Sequence, residues 1–352
     1  MCIKLSMMRA DRYRKDLEYI LGKDYSWKNL SGRDVLVTGA SGMIGSVLTN
    51  VLVSKASEYD FHVTAMSRDM GRLEGTFPYH SDRLRLVSHD VNLPMGNISC
   101  DTVFHCASNT HPRAYSTDPI GTITTNVIGL KNLLDMASEA GDGRFVFASS
   151  VEIYGENRGD VEAFDESYCG YIDCSSVRSG YNESKRVGEA LCHAYASQKG
   201  LDFVIPRLSR VYGPSVRSND SKAMSQFLFK AVSGQDIVLK SKGSQLFSYC
   251  YVMDAVDAML HLFFNGASGE AYNVSGKDSD ITLLSLARKI SQIAGVDVVF
   301  DLPDEMESRG YSKATKAVLD ISKIMSTGWK PSYTLDEGLI RTIDDLSLMN
   351  NN

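Results

Sequence analysis

The sequence predicts a doubly wound α/β fold, a parallel sheet with helices on both faces, followed by a smaller mixed α/β lobe. Three observations carry this. Short β-branched apolar runs alternate with longer stretches of helical spacing over residues 34–205, the pattern of repeated βαβ units. A glycine-rich turn directly follows the first of these runs. The 352 residues are 43% hydrophobic and 23% charged with a net charge of −6, which supports a large core in two lobes and excludes a mainly disordered chain.

The elements follow in chain order. Residues 1–31 form a polar N-terminal extension. Within it Asp11–Leu21 predicts a short helix with Tyr13, Leu17, Ile20 and Leu21 on one face, which packs on the domain or reaches a partner. The first domain spans 32–210. Its strands are expected at 34–38, 62–66, 84–87, 102–106, 144–148 and 203–205, and its helices at 43–55, 120–140 and 181–198. A smaller lobe, 211–352, follows with a less regular rhythm. Helices are expected there at 222–233, 254–264 and 281–294, strands at 237–239, 271–274 and 296–300, and loops at 266–269 and 301–310. Its segments are expected to cross back to the first domain. No internal repeat or low-complexity tract is present.

Several function classes are excluded. No stretch approaches the roughly 20 apolar residues of a membrane helix. The first residues meet charge before any apolar run long enough for a signal peptide, so a cytoplasmic protein is expected. The acidic balance gives no footprint for sequence-independent nucleic-acid binding. Seven cysteines without a CxxC spacing read as reduced thiols. Seven histidines without HxxxH or HExxH spacing predict no metal site.

The turn reads Gly39-Ala40-Ser41-Gly42-Met43-Ile44-Gly45 between strand and helix. Gly39 allows the tight turn, Gly42 leaves room for a pyrophosphate, and Gly45 permits close packing of helix and strand. The phosphate charge then rests on the helix N-terminus, with Ser41, Met43 and Ile44 completing the cradle of a Rossmann-type domain. Which dinucleotide it holds turns on the end of the second strand. Ser67 stands where an acid would pair with the ribose of NAD, and Arg68 next to it either pairs with the 2′-phosphate of NADP or stacks on adenine. Arg68 tilts the balance slightly to NADP. Asp90, with Val91 after it, has the place of an adenine-edge contact or of a turn cap.

Ser150 closes the fifth strand, and Tyr181 and Lys185 follow four apart on one helix face. Removing hydride from a secondary alcohol also requires removing the hydroxyl proton. A phenol, with an ordinary pKa of about 10, needs a nearby ammonium and an oxidised nicotinamide to serve as the base. A shift of about 3 units corresponds to roughly 4 kcal/mol. Ser150 would hold the substrate oxygen by a hydrogen bond.

Over about residues 32–346 the chain resembles extended short-chain dehydrogenase/reductases of the nucleotide-sugar epimerase/dehydratase family. The resemblance lies in the motifs TGASGMIG, TTNVIGLKNLL, SSVEIYG, YNESK, RLSRVYGP and DISKIMSTGWKPSYTLDEGL. It implies a tightly bound oxidised NAD or NADP, touched also by Ala107, Asn126, Tyr181 and Lys185, and a transient 4-keto sugar in the making of polysaccharide or glycoconjugate precursors. It implies homodimers through the helices at 126–140 and 181–198. Glu152 falls where related dehydratases and decarboxylases carry a glutamate, and Val151 where dehydratases place an aspartate to protonate a leaving hydroxyl. Once carbon 4 is a ketone, the proton at carbon 5 is acidic, and a carboxylate could remove it.

The stretch from Gly170 to Arg186 resembles UDP-glucuronate decarboxylases, which makes Arg178 a candidate for a substrate carboxylate or phosphate. Relatives carry Asn at the position of Arg210 and Arg near Phe247, so Arg210 is expected to supply the substrate-binding charge from another direction. A nucleotide-sugar lyase of dehydratase or decarboxylase type is the leading expectation. A 4-epimerase and a keto-sugar reductase stay open. A dinucleotide-sensing protein without catalysis conflicts with the intact Ser150, Tyr181 and Lys185.

Overall fold

The computed structural model describes residues 11–110, 112–217, 220–301 and 315–350. Its elements run α1 (Asp11–Leu21), β1 (Asp34–Thr38), α2 (Met43–Tyr59), β2 (His62–Ser67), α3 (Met70–Thr76), β3 (Leu84–Ser88), β4 (Thr102–His105), α4 (Pro112–Thr117), α5 (Pro119–Thr124), α6 (Leu130–Ala140), β5 (Arg144–Phe147), β6 (Ser149–Ser150), α7 (Ser179–Lys199) and β7 (Asp202–Leu208). The chain continues with β8 (Arg210–Tyr212), α8 (Ala223–Val232), β9 (Ile237–Leu239), β10 (Leu246–Tyr251), α9 (Val252–Asn265), β11 (Glu270–Val274), β12 (Asp280–Thr282), α10 (Leu283–Ala294), β13 (Val298–Phe300), β14 (Lys316–Ala317), α11 (Ser322–Ser326) and α12 (Leu335–Asn350).

The main sheet is parallel in the order β3-β2-β1-β4-β5-β7-β11, with β6 pairing β7. After β3 the chain crosses over to β4 on the other side of β1. That crossover opens a crevice at the carboxyl ends of β1 and β4, where ligands bind in open α/β sheets. Both faces of the sheet are covered by helices, so its central strands are apolar almost throughout; Val35, Leu36, Val37, Val103 and Phe104 are fully buried. β11 comes from beyond residue 211 yet extends this sheet, with Glu270 opposite Val204. A second sheet, β12-β10-β14 with β8 on β10, stands beside it and carries the C-terminal lobe.

Local structure departs from the sequence expectation at identifiable places. The expected helix over 120–140 is continuous but passes through a π-helical turn at Thr125–Gly129. That turn lets Gly129 press on Val91, where a Cβ would meet the valine side chain at 2.6 Å, and buries Asn126 completely. The expected helix over 281–294 starts as a strand, because Ile281 pairs with Phe247 and the Thr282 hydroxyl caps α10 by accepting from Ser285 N. β8 and β10 were not expected. β10 is buried along nearly its whole length, so it shows no polar alternation that would mark it as a strand. Strand 296–300 shortens to Val298–Phe300, and the expected loop over 301–310 lies almost wholly outside the described residues.

The N-terminal extension docks on its own chain. α1 buries Tyr13, Leu17 and Ile20. Its Asp16 carboxylate accepts from Tyr251 OH (2.9 Å), Tyr333 OH (3.1 Å) and Arg341 Nη1 (2.6 Å). Beside it, Asp257 of α9 accepts from Lys23 Nζ (2.6 Å), Tyr25 OH (2.6 Å) and Trp329 Nε1 (2.8 Å). Two buried carboxylates thus tie the extension to α9, β10 and the segment leading into α12. Replacing Asp257 with Ala strands two buried donors, Tyr25 OH and Trp329 Nε1, and leaves the partly exposed Lys23 ammonium without this carboxylate. The variant is expected to lose about 2–4 kcal/mol of stability in chemical denaturation.

Candidate active site

The turn after β1 is shaped by what a side chain would strike. Gly39 has φ +66°, and a Cβ there would meet Ala107 N at 2.8 Å. The loop therefore lies directly on the backbone that leaves β4. Gly45 faces the turn itself, where a Cβ would sit 2.3 Å from Gly39 O. Gly42 is the N-cap of α2, and that helix end carries neither a side-chain cap nor an acidic residue. An open helix N-terminus at the crossover of a parallel sheet fits the pyrophosphate of a dinucleotide. Met43 and Ile44 form the first turn of that helix and are half-buried.

At the ribose end, the hydroxyls of Ser41 and Ser67 are 2.9 Å apart. Arg68 is exposed. Arg217, which the sequence reading did not single out, donates to Ser41 O (3.1 Å). Asp90 accepts from Asn92 N (3.0 Å), so its carboxylate serves as a turn cap. Val91 is buried against Gly129. Asn126 accepts from Ser108 Oγ (2.7 Å) and donates to Ser184 Oγ (2.9 Å), bracing α7 from behind.

Ser150, Tyr181 and Lys185 come together on the other side of the crevice. Lys185 Nζ is buried and donates to Ala148 O (2.8 Å). Burial lowers its pKa to about 8, with nearby Cys106 and Glu189 opposing. At neutral pH it is still protonated, so a positive charge sits one helical turn from Tyr181. Burial raises the Tyr181 phenol well above its ordinary range; hydrogen bonds with Ser150 and Tyr115 pull it down and the Glu152 charge pushes it up. The phenol in the protein alone is therefore a weak acid, and a further positive charge is needed to make it a base. His105 adds none. Its Nδ1 is 2.8 Å from Thr38 Oγ1, and burial, aided by Lys185, holds its pKa down near 3.

Tyr115, from α4, was missed by the sequence reading. Its ring stacks on Tyr181 with centroids 4.8 Å apart. No periodicity or spacing signals such a contact across 66 residues. Arg178 opens α7, its guanidinium 6.0 Å from the Tyr115 ring centre.

Glu152 lies beside this group. Asn182 Nδ2 donates to its backbone oxygen (2.8 Å) and to Oε2 (3.3 Å). Arg210 Nη2 is 3.5 Å from Oε1. The two departures from the family pattern touch each other: the Arg210 guanidinium lies 3.6 Å from the centre of the Phe247 ring. Lys222 stands nearby, its ammonium 3.8 Å from Asp220. Its pKa is lowered mainly by burial and further by Arg210, with Asp220 and Glu152 opposing.

Comparison with known proteins agrees with this geometry. The profile of the NAD dependent epimerase/dehydratase family matches residues 35–275. UDP-glucuronic acid decarboxylase 6 of Arabidopsis thaliana is 32% identical over 327 residues, covering 90% of each chain. UDP-glucuronic acid decarboxylase 1 of Xenopus tropicalis is 31% identical over 90% of this chain and 73% of its own. Among solved structures, the epimerase Mth375 of Methanothermobacter thermautotrophicus shares the fold (22% identity, TM-score 0.78, 92% of this chain and 94% of that one). So does DesIV of Streptomyces venezuelae, a dTDP-glucose 4,6-dehydratase solved with NAD (25% identity, TM-score 0.76, 89% of this chain and 96% of that one).

The buried ammonium sets a pH dependence. Its pKa is near 8 when folded and 10.5 when exposed, so between these values the unfolded chain binds more protons than the folded one. Stability from this group therefore rises with pH across that window. Relative to a Lys185→Met variant, the unliganded wild type should gain about 3 kcal/mol in denaturant titrations between pH 8 and 10.5.

Proposed function

The chain belongs to the NAD dependent epimerase/dehydratase family and is an NAD-dependent enzyme, and on that premise we propose that it is a decarboxylase-type lyase. Its substrate is a nucleotide-linked uronic acid that passes through a 4-keto intermediate. One observation carries the choice of reaction. Among the described residues the carboxylate that pushes the Tyr181 phenol up is Glu152, and Val151 beside it is a buried apolar residue. The cleft next to Glu152 holds two cations, Arg210 and, paired with Asp220, Lys222. Dehydration requires an acid to protonate a leaving hydroxyl. Decarboxylation does not, and its substrate brings an anion for the cations to meet.

The resemblance of the chain to UDP-glucuronic acid decarboxylases over 90% of its length supports this reading. The slight tilt to NADP read from Arg68 gives way to NAD, the cofactor of the family the chain belongs to; residues 39–45 would hold oxidised NAD, which would supply a hydride acceptor and a positive ring. Tyr181 takes the proton of the carbon 4 hydroxyl, helped by the charge of Lys185, while Ser150 orients the oxygen. Once carbon 4 is a ketone, the carbon 6 carboxylate leaves as carbon dioxide and its bonding electrons pass into an enolate. The Tyr181 phenol, now protonated, and Ser150 hydrogen-bond that enolate oxygen. Carbon 5 must then receive a proton. Glu152, about a quarter exposed, draws one from water and delivers it. The ketone is finally reduced and Tyr181 returns its proton. Arg178 and Arg210 hold the anionic parts of the substrate.

Purified protein incubated with UDP-glucuronate and without added cofactor should yield a product lighter by one carbon dioxide in mass spectrometry. An isomer of unchanged mass, or loss of water, would overturn the assignment. Glu152→Gln should lower product formation by about 10²-fold or more while the bound cofactor is still reduced, as followed by its near-ultraviolet absorbance.

The reading includes a homodimer in the cytoplasm. Ile120, Ile123, Ile128 and Val187 expose apolar side chains on the neighbouring helices α5–α7, a surface suited to a second copy. The exposed thiols of Cys169 and Cys174 suit a reducing compartment. Among the described residues, no helix is long and apolar enough to cross a membrane. Ile120→Asp with Ile128→Asp should halve the mass measured by light scattering; an unchanged mass would place the dimer contact elsewhere.

A further inference from the structure

We propose that the turn after β8, residues 213–217, is a clasp across the dinucleotide crevice, in which Ser215 and Arg217 lock the glycine turn and slow the exchange of bound NAD. The inference rests on the NAD dependence of the family and not on the choice of reaction. It starts from topology. The glycine turn follows β1, and Arg68, Asp69 and Arg72 follow β2. β8 belongs to the second sheet, where Tyr212 stands opposite Tyr251 of β10. A segment that leaves β8 and bonds to the turn after β1 therefore ties the C-terminal lobe to the far side of the crevice.

This segment is firmly seated where it leaves the lobe. A Cβ on Gly213 would strike Val252 Cγ1 at 2.4 Å, so the chain lies directly on the first residue of α9. Pro214 and Val216 are buried, and Val216 N donates to Gly213 O (3.2 Å). With these two residues turned into the lobe, the residues after each of them reach the glycine turn. Ser215 Oγ donates to Met43 O (3.4 Å), and Arg217 Nη2 donates to Ser41 O (3.1 Å). The two carbonyls flank Gly42, the N-cap of α2. In a trans peptide C=O and N–H point opposite ways, so a donor on Met43 O steadies the plane that carries the N–H of Ile44, one of the groups at the open helix end. Ser41 is tied in turn to Ser67, their hydroxyls 2.9 Å apart.

Arg217 is not a lone cation. Partial burial lowers its pKa, as do Arg72 and Arg68, while Asp220 and Asp69 oppose them. These neighbours place its guanidinium beside the residues that follow β2, and the acids offset its charge. What it adds is a directional, charge-assisted bond to the backbone of the cofactor turn. A nucleotide seated along residues 39–45 then leaves only after the clasp parts from that turn.

Release of NADH tests this with no sugar present. Full-length protein loaded with NADH is mixed with excess NAD, and the loss of bound-nucleotide fluorescence is followed by stopped flow. Arg217→Ala should speed release about tenfold, the worth of one charge-assisted hydrogen bond, and Ser215→Ala about twofold. Arg217→Lys keeps a charged donor and should recover most of the difference. The purified Arg217→Ala protein should also carry less bound nucleotide than wild type. A folded Arg217→Ala protein, verified by its melting curve at saturating NAD, that releases NADH within twofold of wild type overturns the clasp. So does an Arg217→Lys protein that releases it as fast as Arg217→Ala, since the arginine then acts through the fold and not through its bond. Carbon dioxide is not measured here, so the decarboxylase reading can fail while the clasp stands, and the clasp can fail while that reading stands.

Discussion

The site depends on one seam, where a single face of α7 bonds to the chain as it leaves β5. At that point the backbone turns out of the ladder and its carbonyls lose their strand partners. Buried carbonyls of this kind must be satisfied. Lys185 Nζ meets Ala148 O at 2.8 Å, Asn182 Nδ2 meets Glu152 O at 2.8 Å, and Arg186 Nε meets Ile153 O at 2.6 Å. Ser149 Oγ donates back to Glu189 Oε1 at 2.6 Å. Gly188 makes the approach possible, since a Cβ there would strike the Phe147 ring at 2.6 Å. The lysine proposed to serve the chemistry is thus also a structural donor. Its burial, which lowers its pKa, follows from that position.

A second layer holds the seam in place. Glu189 pairs with Arg207 at 2.6 Å, both nearly buried. Arg207 Nη1 continues to Tyr154 OH (3.0 Å) and Glu166 O (2.7 Å), and Tyr154 donates to Asn273 Oδ1 (2.6 Å). Asn273 lies on β11, so this network joins α7, β7 and the strand that returns from the C-terminal lobe. Removing one partner from a buried, hydrogen-bonded ion pair leaves an uncompensated charge. The network therefore fixes the lobe against the phenol, and β8 continues from β7 to bring Arg210 to Glu152.

How much of this the sequence made visible depends on the range of each contact. The glycine turn is a local pattern made legible by its place between the first strand and a helix, and the Tyr181–Lys185 spacing gained meaning only from its order after that turn and after the strand that ends in Ser150. The order of strands and helices in the first domain was equally plain, because its strands are short apolar runs between helices of regular period. Tyr115, Lys222 and Arg217 were not visible, since each reaches the site through tertiary packing that no periodicity encodes. β10 escaped notice because its burial erases the alternation that marks a half-exposed strand. Phe247 was noticed only as a missing arginine. Its contact with Arg210 becomes evident from the register of two strands, one of them unforeseen.

The balance of charge around the phenol explains why these parts are assembled as they are. With the protein alone, Tyr181 is held protonated by burial and by Glu152, and Arg210 and Lys222 disfavour each other while Asp220 and Glu152 offset them. That state does not suit proton removal. A positively charged ring along the glycine turn would favour the phenolate, adding to the charge of the Lys185 ammonium one helical turn away. On the proposed reading the phenol becomes an effective base once that positive ring lies beside it, because burial and the Glu152 charge alone hold it protonated.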